Sequence, residues 1–467
     1  MQILKYTITI IFISTISFAN AQFTKLMDFN DAETGCDPYM VALVGDGTWL
    51  YGTANSCGAN NRGTIYKIKP DGSDFTVIYD FNETEGGNTP EGGVIYDGTY
   101  LYGHTRSGGI NEFGTLYKIK PDGSDYQVLR DFLAGDADGG VPYGTLHFDG
   151  TYIYGTCSQA GLNFGGTLFK IKPDGSDYEI LHHFGFEDTG WQAYGGVISD
   201  GTYLYGMTVH GGTDNIGVAY KIKTDGTGYS EFINFTDDPN GALAYGAFIS
   251  DGTYLYAMTS NGGEPNRGII YRVKPDGSDF LKLHTFELTD GAHPFGSLII
   301  VDDKLYGMTE FAGSYNGGTL FQIGKDGCDF TVLLHFEETT TGTLPFGTLF
   351  YDHGAIFGVT NKGGVNGQGV IFRWGDIASG ITENTSSPIT VYPNPTSGNI
   401  NFEIDNTLIT DNSILQIMDL QGKIIYESVV QTGTNSINMG NIADGMYVIK
   451  IETGYQNYTR HFMVEGN

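Results

Sequence analysis

The sequence predicts an all-β protein: a seven-bladed β-propeller closed by its N-terminal strand, followed by a small Ig-like β-sandwich. Three observations lead to this prediction. Two markers recur seven times at intervals of 50 to 52 residues, and each period contains four short strand-like runs. The last period lacks its fourth run, whereas an unpaired copy of that run stands near the start of the chain. The final 80 or so residues carry a different strand pattern.

The N-terminal residues 1–21, "MQILKYTITIIFISTISFANA", have the features of a signal peptide. An early lysine precedes an apolar run, and Ala19-Asn20-Ala21 provides small residues at a cleavage site. The apolar run is too short to cross a bilayer. We therefore expect export, a mature chain that begins at Gln22, and no transmembrane segment.

The repeats occupy residues 22–375 and are defined by two markers. The first is the last residue of phrases such as "DGTYLYG", and the second is a phenylalanine that closes phrases such as "VIYDF". The first marker stands at Gly52, Gly103, Gly155, Gly206, Ala257, Gly307 and Gly358, and the second at Phe29, Phe81, Phe132, Phe184, Phe235, Phe286 and Phe336. Four antiparallel strands in about 51 residues are typical of one propeller blade.

The seventh repeat ends at Arg373 and Trp374, where a fourth strand would follow. The orphan copy of this strand is "FTKLMDF", Phe23 to Phe29. Because sheet proteins avoid open edges, we expect this strand to complete the last blade and close the ring. The strand order also places the loops after each Phe marker and the glycine-rich loops, such as "RSGGINEFG", on one face. Variable loops on a rigid frame make this face the candidate functional surface.

Residues 376–388 are small and polar and read as a linker. Residues 389–467 then show alternating strands separated by Asn, Gly and Asp turns, which predicts the β-sandwich. The phrases "YPNPTSGNINFEI", "DLQGK" and "ADGMYVIKI" resemble the C-terminal sorting domain, type A, of the type IX secretion system. The matching residues are Pro393, Asn394, Pro395, Gly398, Gly422, Gly445 and Tyr447.

This resemblance implies contact with the type IX secretion machinery and passage through the periplasm and across the outer membrane. The domain would then be removed, and the rest released or held at the cell surface. The repeats themselves, with phrases such as "YGGVISDGTYLYGMTVHGG" and "GTLFKIKPDGSD", resemble the GloVer-type tandem repeats of exported bacterial proteins. That second resemblance implies an extracellular setting and no particular activity.

The charge of the chain restricts its partners. Lysine and arginine number 24 against 54 acids, a formal net charge of −30. A nucleic-acid partner is excluded, since phosphate backbones require a basic surface. No G-x-S-x-G or H-E-x-x-H motif appears, so hydrolases of those types are not indicated.

The candidate site residues lie in the variable loops. Aromatic rings beside amides are suited to a glycan or a protein ligand, and this set comprises Phe113, Phe164, Trp191, Tyr315, Asn111 and Asn163. Asp136 and Asp138 in "AGDADGG" are candidate calcium ligands, and no other cofactor is indicated. Cys36 and Cys57 fall in first-repeat loops on the same face and are candidates for a disulfide bond.

The sequence therefore favours an exported, non-catalytic binding propeller. The alternative is a glycan-degrading enzyme that uses carboxylates of the propeller loops. The identity of the ligand and the oligomeric state stay open at this stage.

Overall fold

The computed structural model describes residues 23–82, 86–133, 135, 138–186, 189–375, 389–392, 399–404, 413–419, 424–430, 435–438, 445–452 and 457–464. The chain divides into two compact units, Met1–Ile377 and Ala378–Asn467. The predicted signal peptide, residues 1–21, and the predicted linker, residues 376–388, lie outside the described residues. Among the described residues, no helix has the length and apolar character that a bilayer span requires.

The described part of the first unit forms seven four-stranded antiparallel sheets, numbered here along the chain, and one short helix, α1 (Asp31–Thr34). Sheet 1 contains β2 (Val44–Gly45), β3 (Leu50–Ala54), β4 (Thr64–Ile68) and β5 (Thr76–Asp80). Sheet 2 contains β6 (Asn88–Tyr96), β7 (Leu101–Ser107), β8 (Thr115–Ile119) and β9 (Gln127–Asp131). Sheet 3 contains β10 (Gly140–Phe148), β11 (Ile153–Gln159), β12 (Phe164–Ile171) and β13 (Glu179–Gly185).

The remaining sheets of this unit repeat the same order. Sheet 4 contains β14 (Ile198–Ser199), β15 (Tyr203–Met207), β16 (Val218–Lys223) and β17 (Ser230–Asn234). Sheet 5 contains β18 (Ile249–Ser250), β19 (Leu255–Thr259), β20 (Ile269–Val273) and β21 (Leu281–Thr285). Sheet 6 contains β22 (Ile299–Val301), β23 (Lys304–Thr309), β24 (Thr319–Gly324) and β25 (Thr331–His335). Sheet 7 contains β26 (Phe350–Asp352), β27 (Ala355–Thr360), β28 (Val370–Trp374) and β1 (Phe23–Asp28).

The "DGT" turns recur because one aspartate organises each of them. In sheet 1, Asp46 Oδ1 accepts hydrogen bonds from the main-chain N–H groups of Thr48 and Trp49, at 2.8 and 2.7 Å. Its other oxygen accepts from the Tyr51 hydroxyl at 2.6 Å. An aspartate side chain that bonds the backbone two residues on is a common way to fix a tight turn. The same three bonds recur at Asp97, Asp149, Asp200 and Asp251.

The Phe markers form the cores between sheets, and all seven are fully buried. Phe81 illustrates the packing, because it lies in one apolar cluster with Tyr51 of sheet 1 and with Leu101 and Tyr117 of sheet 2. A cluster of the same kind joins sheet 7 to sheet 1 through Phe357 and its neighbours. Burial of this much apolar surface between neighbouring sheets is the main stabilising contribution of the fold.

The basic residue of the third strand also links neighbouring sheets. Lys67 Nζ donates to Pro121 O of sheet 2 at 3.3 Å, and Arg373 of sheet 7 donates to Pro70 O of sheet 1 at 3.4 Å. Gln322 takes this position in sheet 6. The change from a basic residue to glutamine in sheet 6 has a structural reason. Its neighbour, sheet 7, has no turn between its third and fourth strands, so no turn carbonyl is present to accept a hydrogen bond from a cation.

The orphan N-terminal strand β1 pairs antiparallel with β28, from Phe23 opposite Trp374 to Asp28 opposite Val370. Phe23 stacks on Phe372, with 5.7 Å between ring centroids. Beyond the strand, Gly369 O accepts a hydrogen bond from Phe29 N at 3.0 Å. The fourth strand of sheet 7 is therefore supplied by the other end of the repeat region.

The second unit contains two antiparallel sheets. The three-stranded sheet has the order β29 (Ile389–Tyr392), β30 (Asn399–Ile404) and β33 (Asn435–Asn438). The four-stranded sheet has the order β32 (Ile424–Val429), β31 (Ile414–Asp419), β34 (Gly445–Glu452) and β35 (Asn457–Val464). Ile400 and Phe402 of the first sheet share one core with Leu415 and Ile449 of the second. The prediction of an all-β chain is confirmed in both units.

Candidate functional site

An aromatic cleft of about 420 Å³ lies where the variable loops of sheets 2, 3 and 4 meet. Three of the four aromatic residues predicted from the sequence, Phe113, Phe164 and Trp191, contribute to its wall. Phe186, which the sequence did not single out, is the fourth aromatic ring. The other lining residues are Gly135, Ser158, Gln159, Ala160, Gly161 and Gln192. We call this set of ten residues the aromatic cleft.

Phe164 is held towards solvent by an unfavourable backbone conformation. Its φ is +60° and its side chain is 68% exposed. Residues other than glycine rarely adopt this left-handed backbone conformation, and among them asparagine tolerates it well. The equivalent repeat positions are left-handed too, but they carry Asn61, Glu112, Asn215, Asn266, Asn316 and Gly367. A phenylalanine here adds strain and exposes apolar surface, and the stability of the fold alone does not explain its presence.

Trp191 is held in place by three neighbours. Its ring stacks on His210 at 4.3 Å between centroids and meets Phe186 edge-on at 4.9 Å. Its indole Nε1 donates to Asn215 Oδ1 at 3.2 Å. Since the indole N–H is already bonded, Trp191 offers a ligand mainly its ring face. Ordered, flat rings of this kind suit stacking against a ligand with little loss of entropy.

The two asparagines predicted as ligand contacts form hydrogen bonds within the loops and do not line the cleft. Asn111 Nδ2 donates to Asp131 Oδ1 at 2.8 Å, and Asn163 Nδ2 donates to the main-chain oxygen of His183 at 3.3 Å. Neither residue lines the cleft. Tyr315 is 62% exposed, but it belongs to the loop between β23 and β24 of sheet 6 and is not part of the cleft either. Polar contacts in the cleft come from Gln159, Gln192 and Ser158 instead.

The predicted calcium pair is only half within the described residues, because Asp136 lies outside them. Asp138 is fully buried, and its carboxylate accepts from Leu133 N at 2.9 Å and from the Tyr178 hydroxyl at 2.6 Å. Arg130 pairs with it at 2.9 Å. These partners occupy both oxygens of Asp138, which therefore acts as an anchor between sheets 2 and 3. A calcium site at Asp136 stays a prediction.

The structure joins Cys36 and Cys57 by a disulfide bond. Asp31 lies beside them, and the three side chains are close enough to suggest a metal cluster by geometry alone. A cysteine in a disulfide has no thiolate to offer a metal, so we assign the pair a structural role. The bond ties the segment before β2 to the loop after β3.

We expect peptide mapping without reductant to recover Cys36 and Cys57 as a linked pair. Replacing both by serine should lower the free energy of unfolding by about 3 kcal/mol, since the bond closes a loop of about 20 residues in the unfolded chain. The matched control is Cys328→Ser, which introduces the residue found at this turn position in other repeats and should leave stability unchanged. Free thiols at all four cysteines would contradict the pairing.

A second group of residues, missed at the level of sequence, lies on or just before the first strand of each sheet. Six of the seven repeats place one aromatic residue at the same position there, and consecutive rings pack 4.3 to 5.8 Å apart between centroids. We call this the inner aromatic row: Tyr39, Tyr143, Tyr194, Tyr245, Phe295 and Phe346. The seventh position, in sheet 2, is Glu91. In an alignment of the seven repeats, Glu91 is the one acidic residue at a position that is otherwise aromatic.

Glu91 is 1% exposed, and burial raises its pKa to about 7. Its Oε1 accepts from Arg106 Nη1 and Asn55 Nδ2, each at 3.4 Å, whereas its Oε2 has no hydrogen-bond partner. Glu310 lies within electrostatic reach of Tyr39 and Tyr245 of the inner aromatic row, and burial raises its pKa to about 7 as well. Two carboxyl groups in this region are thus poised to change charge near neutral pH.

Comparison with protein families identifies both units. Residues 10–163, 83–259 and 142–372 match the Gloeobacter/Verrucomicrobia repeat, and together they cover more than half of the chain. The chain belongs to this repeat family. Residues 390–465 match the secretion system C-terminal sorting domain. Both predicted resemblances are confirmed, and the sorting domain marks the chain for export by the type IX system, to the cell surface or the medium.

Solved structures are similar in fold. An oligogalacturonate lyase of Vibrio parahaemolyticus matches at 14% identity and a TM-score of 0.50, over 77% of this chain and 94% of the lyase. PorZ, a surface component of the type IX secretion system of Porphyromonas gingivalis, matches at 14% identity and a TM-score of 0.47, over 94% of this chain.

This chain spans 61% of the length of PorZ. Among curated proteins, none matches this chain. At these identities the likeness concerns the propeller-like fold alone.

Proposed function

We propose that the seven sheets form a closed seven-bladed propeller, and that this propeller is an exported, non-catalytic binding protein whose ligand is a glycan held in the aromatic cleft. Closure is supported by the pairing of β1 with β28 and by the apolar cluster between sheets 7 and 1. Export is supported by the sorting domain. The cleft lies on the face where the loops vary between repeats.

The single observation that carries the binding proposal is Phe164, a solvent-exposed ring in a strained conformation at the edge of a cleft lined by three further aromatic residues. Stability alone would favour asparagine at this position, as in other repeats. Sugar rings present flat C–H faces to aromatic rings and hydroxyl groups to amides. Gln159 and Gln192 provide such amides in the wall of the cleft.

Several described carboxylates on this face are already engaged in loop structure, which weighs against the alternative of a glycan-degrading enzyme. Asp131 accepts from Ile110 N and from Asn111, and Asp290 accepts from Glu287 N and contacts His284. A general acid or base must instead reach the scissile bond. The alternative is tested by release of reducing sugar from every glycan that binds.

The test is a glycan array with the mature protein, followed by titration of the hits against variants. Phe164→Asn should weaken binding at least tenfold while leaving the melting temperature unchanged or higher, because asparagine relieves the strain. Trp191→Ala should weaken binding by a similar factor through loss of the stacking face.

Tyr315→Ala removes an equally exposed ring outside the cleft and is the matched control, for which we expect unchanged binding. Equal affinity of Phe164→Asn and the native protein would contradict the proposal. If the protein binds other proteins but no glycans, the ligand is a protein instead of a glycan. Release of reducing sugar from a bound glycan would favour the alternative of a glycan-degrading enzyme.

A further inference from the structure

Sheet 2 differs from the other six sheets at the position of the inner aromatic row. Six repeats place Tyr or Phe at this position, where the rings pack in succession from sheet 3 through sheet 7 to Tyr39 before β2. Sheet 2 places Glu91 there instead. Substituting a carboxylate for an aromatic ring removes apolar burial and adds a desolvated charge, so it lowers stability unless something compensates.

The compensation within the protein is incomplete. Glu91 is almost fully buried, yet its Oε2 has no donor, and the neighbouring Asn55 Oδ1 has none either. Two adjacent buried acceptors without donors are unusual in a folded protein. Exchanging the amide oxygen and nitrogen of Asn55 would not solve this, because the amide oxygen would then face Glu91 Oε1, to which Nδ2 now donates. The Tyr143 hydroxyl lies near the Glu91 carboxylate but completes no hydrogen bond to Oε2, so Glu91 Oε2 and Asn55 Oδ1 still lack a well-placed donor.

Arg106 forms only a weak ion pair with Glu91. Its guanidinium approaches Glu91 only to 3.4 Å, its side chain is 48% exposed, and it stands 6.0 Å from the ring centre of Tyr143. An arginine that bonds a carboxylate firmly does so at about 2.9 Å and often with two nitrogens. The guanidinium can therefore leave Glu91 without breaking a strong bond.

The surroundings favour a positive ligand. Arg106 is the one cation paired with Glu91 among the described residues, and at 3.4 Å it neutralises the buried carboxylate only in part. The hydroxyl groups of Tyr39 and Tyr194 lie within electrostatic reach of Glu91, and the Arg106 guanidinium stands over the ring of Tyr143. Aromatic faces attract cations, and most strongly where water is excluded.

We propose that Glu91, Asn55 and Arg106, with Tyr143 of the inner aromatic row beside them, form a binding site for a primary ammonium group, which displaces the Arg106 guanidinium from Glu91. We call it the amine site. It uses none of the ten residues of the aromatic cleft and stands independently of the glycan proposal. The ammonium would donate to Glu91 Oε2 and Asn55 Oδ1 and lie near the ring of Tyr143, where the Arg106 guanidinium now stands.

The site has a defined pH dependence. Burial raises the pKa of Glu91 to about 7, so this carboxyl group is largely protonated at pH 6 and ionised at pH 8. The other groups that face Glu91 are Arg106, which stays charged, and Tyr39, Tyr143 and Tyr194, whose pKa values burial raises further. Affinity for an ammonium ion should therefore rise from pH 6 to pH 8, with release of protons at pH 7.

The test is calorimetric titration of the full mature chain with n-butylamine, and with n-butanol as the neutral counterpart. We expect butylamine to bind and butanol not to bind, with an affinity that rises at least fivefold from pH 6 to pH 8. Glu91→Gln keeps the shape and should weaken binding at least tenfold. Arg106→Ser, the residue at this position in sheets 3 and 5, should strengthen binding at least fivefold because the competing cation is gone.

A lysine side chain and an amino sugar both carry this group, so two further probes distinguish the source. These are a lysine-containing tripeptide against its norleucine analogue, and glucosamine against N-acetylglucosamine. If the protein prefers the amine-bearing member of one pair, and if Glu91→Gln loses that preference, the natural ligand is of that class: a lysine side chain for the peptide pair, or an amino sugar for the sugar pair. Equal butylamine binding by the native protein and Glu91→Gln, weaker binding by Arg106→Ser, or no binding of any amine would each overturn the proposal.

Two controls keep the result interpretable. Melting curves of Glu91→Gln and Arg106→Ser establish that both variants are folded. Trp191→Ala should leave amine binding unchanged. Loss of glycan binding without loss of amine binding, or the reverse, separates failure of one proposal from failure of the other.

Discussion

A protein that lacks residues Phe23 to Phe29 is expected to lose most of the stability of its first unit. The deletion removes β1, exposes the edge of β28, and empties the position of Phe29, which is fully buried in the cluster between sheets 7 and 1. Loss of one buried phenylalanine alone costs about 3 to 5 kcal/mol. We therefore expect a fall in melting temperature of roughly 10 °C or more, or no cooperative transition at all.

A point substitution gives the sharper comparison, because the repeats supply an internal standard. Phe29 and Phe81 occupy the same repeat position and are both fully buried. If the N-terminal strand is as integral to sheet 7 as β5 is to sheet 1, Phe29→Ala and Phe81→Ala should destabilise to a similar extent. A large effect of Phe81→Ala beside a negligible effect of Phe29→Ala would disprove closure, as would an unchanged melting temperature after the deletion.

The repeat made the strand order predictable, since each copy of a motif reports on the same structural position. The seven Phe markers were recognisable because the space between two sheets requires a large apolar side chain in every copy, and all seven are buried. The orphan strand could be found for the same reason, as a surplus copy at one end and a missing copy at the other. The linkage of sheets by Lys67 was not foreseen, because a contact to the next turn depends on the spacing between sheets.

The site was predictable only in part, because loops of neighbouring repeats meet in ways that the sequence does not encode locally. Phe113, Phe164 and Trp191 do line one cleft, whereas Tyr315 sits in a loop of sheet 6, outside it. Asn111 was a reasonable ligand contact by residue type, yet Asp131 lies near enough to bind it. Glu91 is an exception among the aligned repeat positions, but it does not stand out by residue type because the chain contains 54 acidic residues.

Removal of residues Ile389 to Asn467 is expected to abolish export while leaving the first unit folded. The two units have separate hydrophobic cores, and that of the second unit includes Ile400, Leu415 and Tyr447. The motif residue Tyr447 is 7% exposed and Gly445 begins β34, whereas the other predicted motif residues, Pro393, Asn394, Pro395, Gly398 and Gly422, lie outside the described residues. The truncated protein should keep the melting temperature of the first unit and collect in the periplasm.

Export and cleavage are separable in the same experiment. A sorting domain is dispensable once the protein has crossed the outer membrane, and a polar segment such as residues 376–388 is a suitable substrate for a processing protease. We therefore expect mass spectrometry of the exported protein to find a chain that begins at Gln22 and ends within or near residues 376–388. An exported chain intact to Asn467 would contradict cleavage, and export of the truncated protein would disprove the sorting role.

The control is the double variant in which Cys36 and Cys57 are replaced by serine. We expect this variant to have a less stable first unit but an intact sorting domain. Its export would show that the truncated chain stays in the periplasm because it lacks the sorting domain, and not because its fold is weakened.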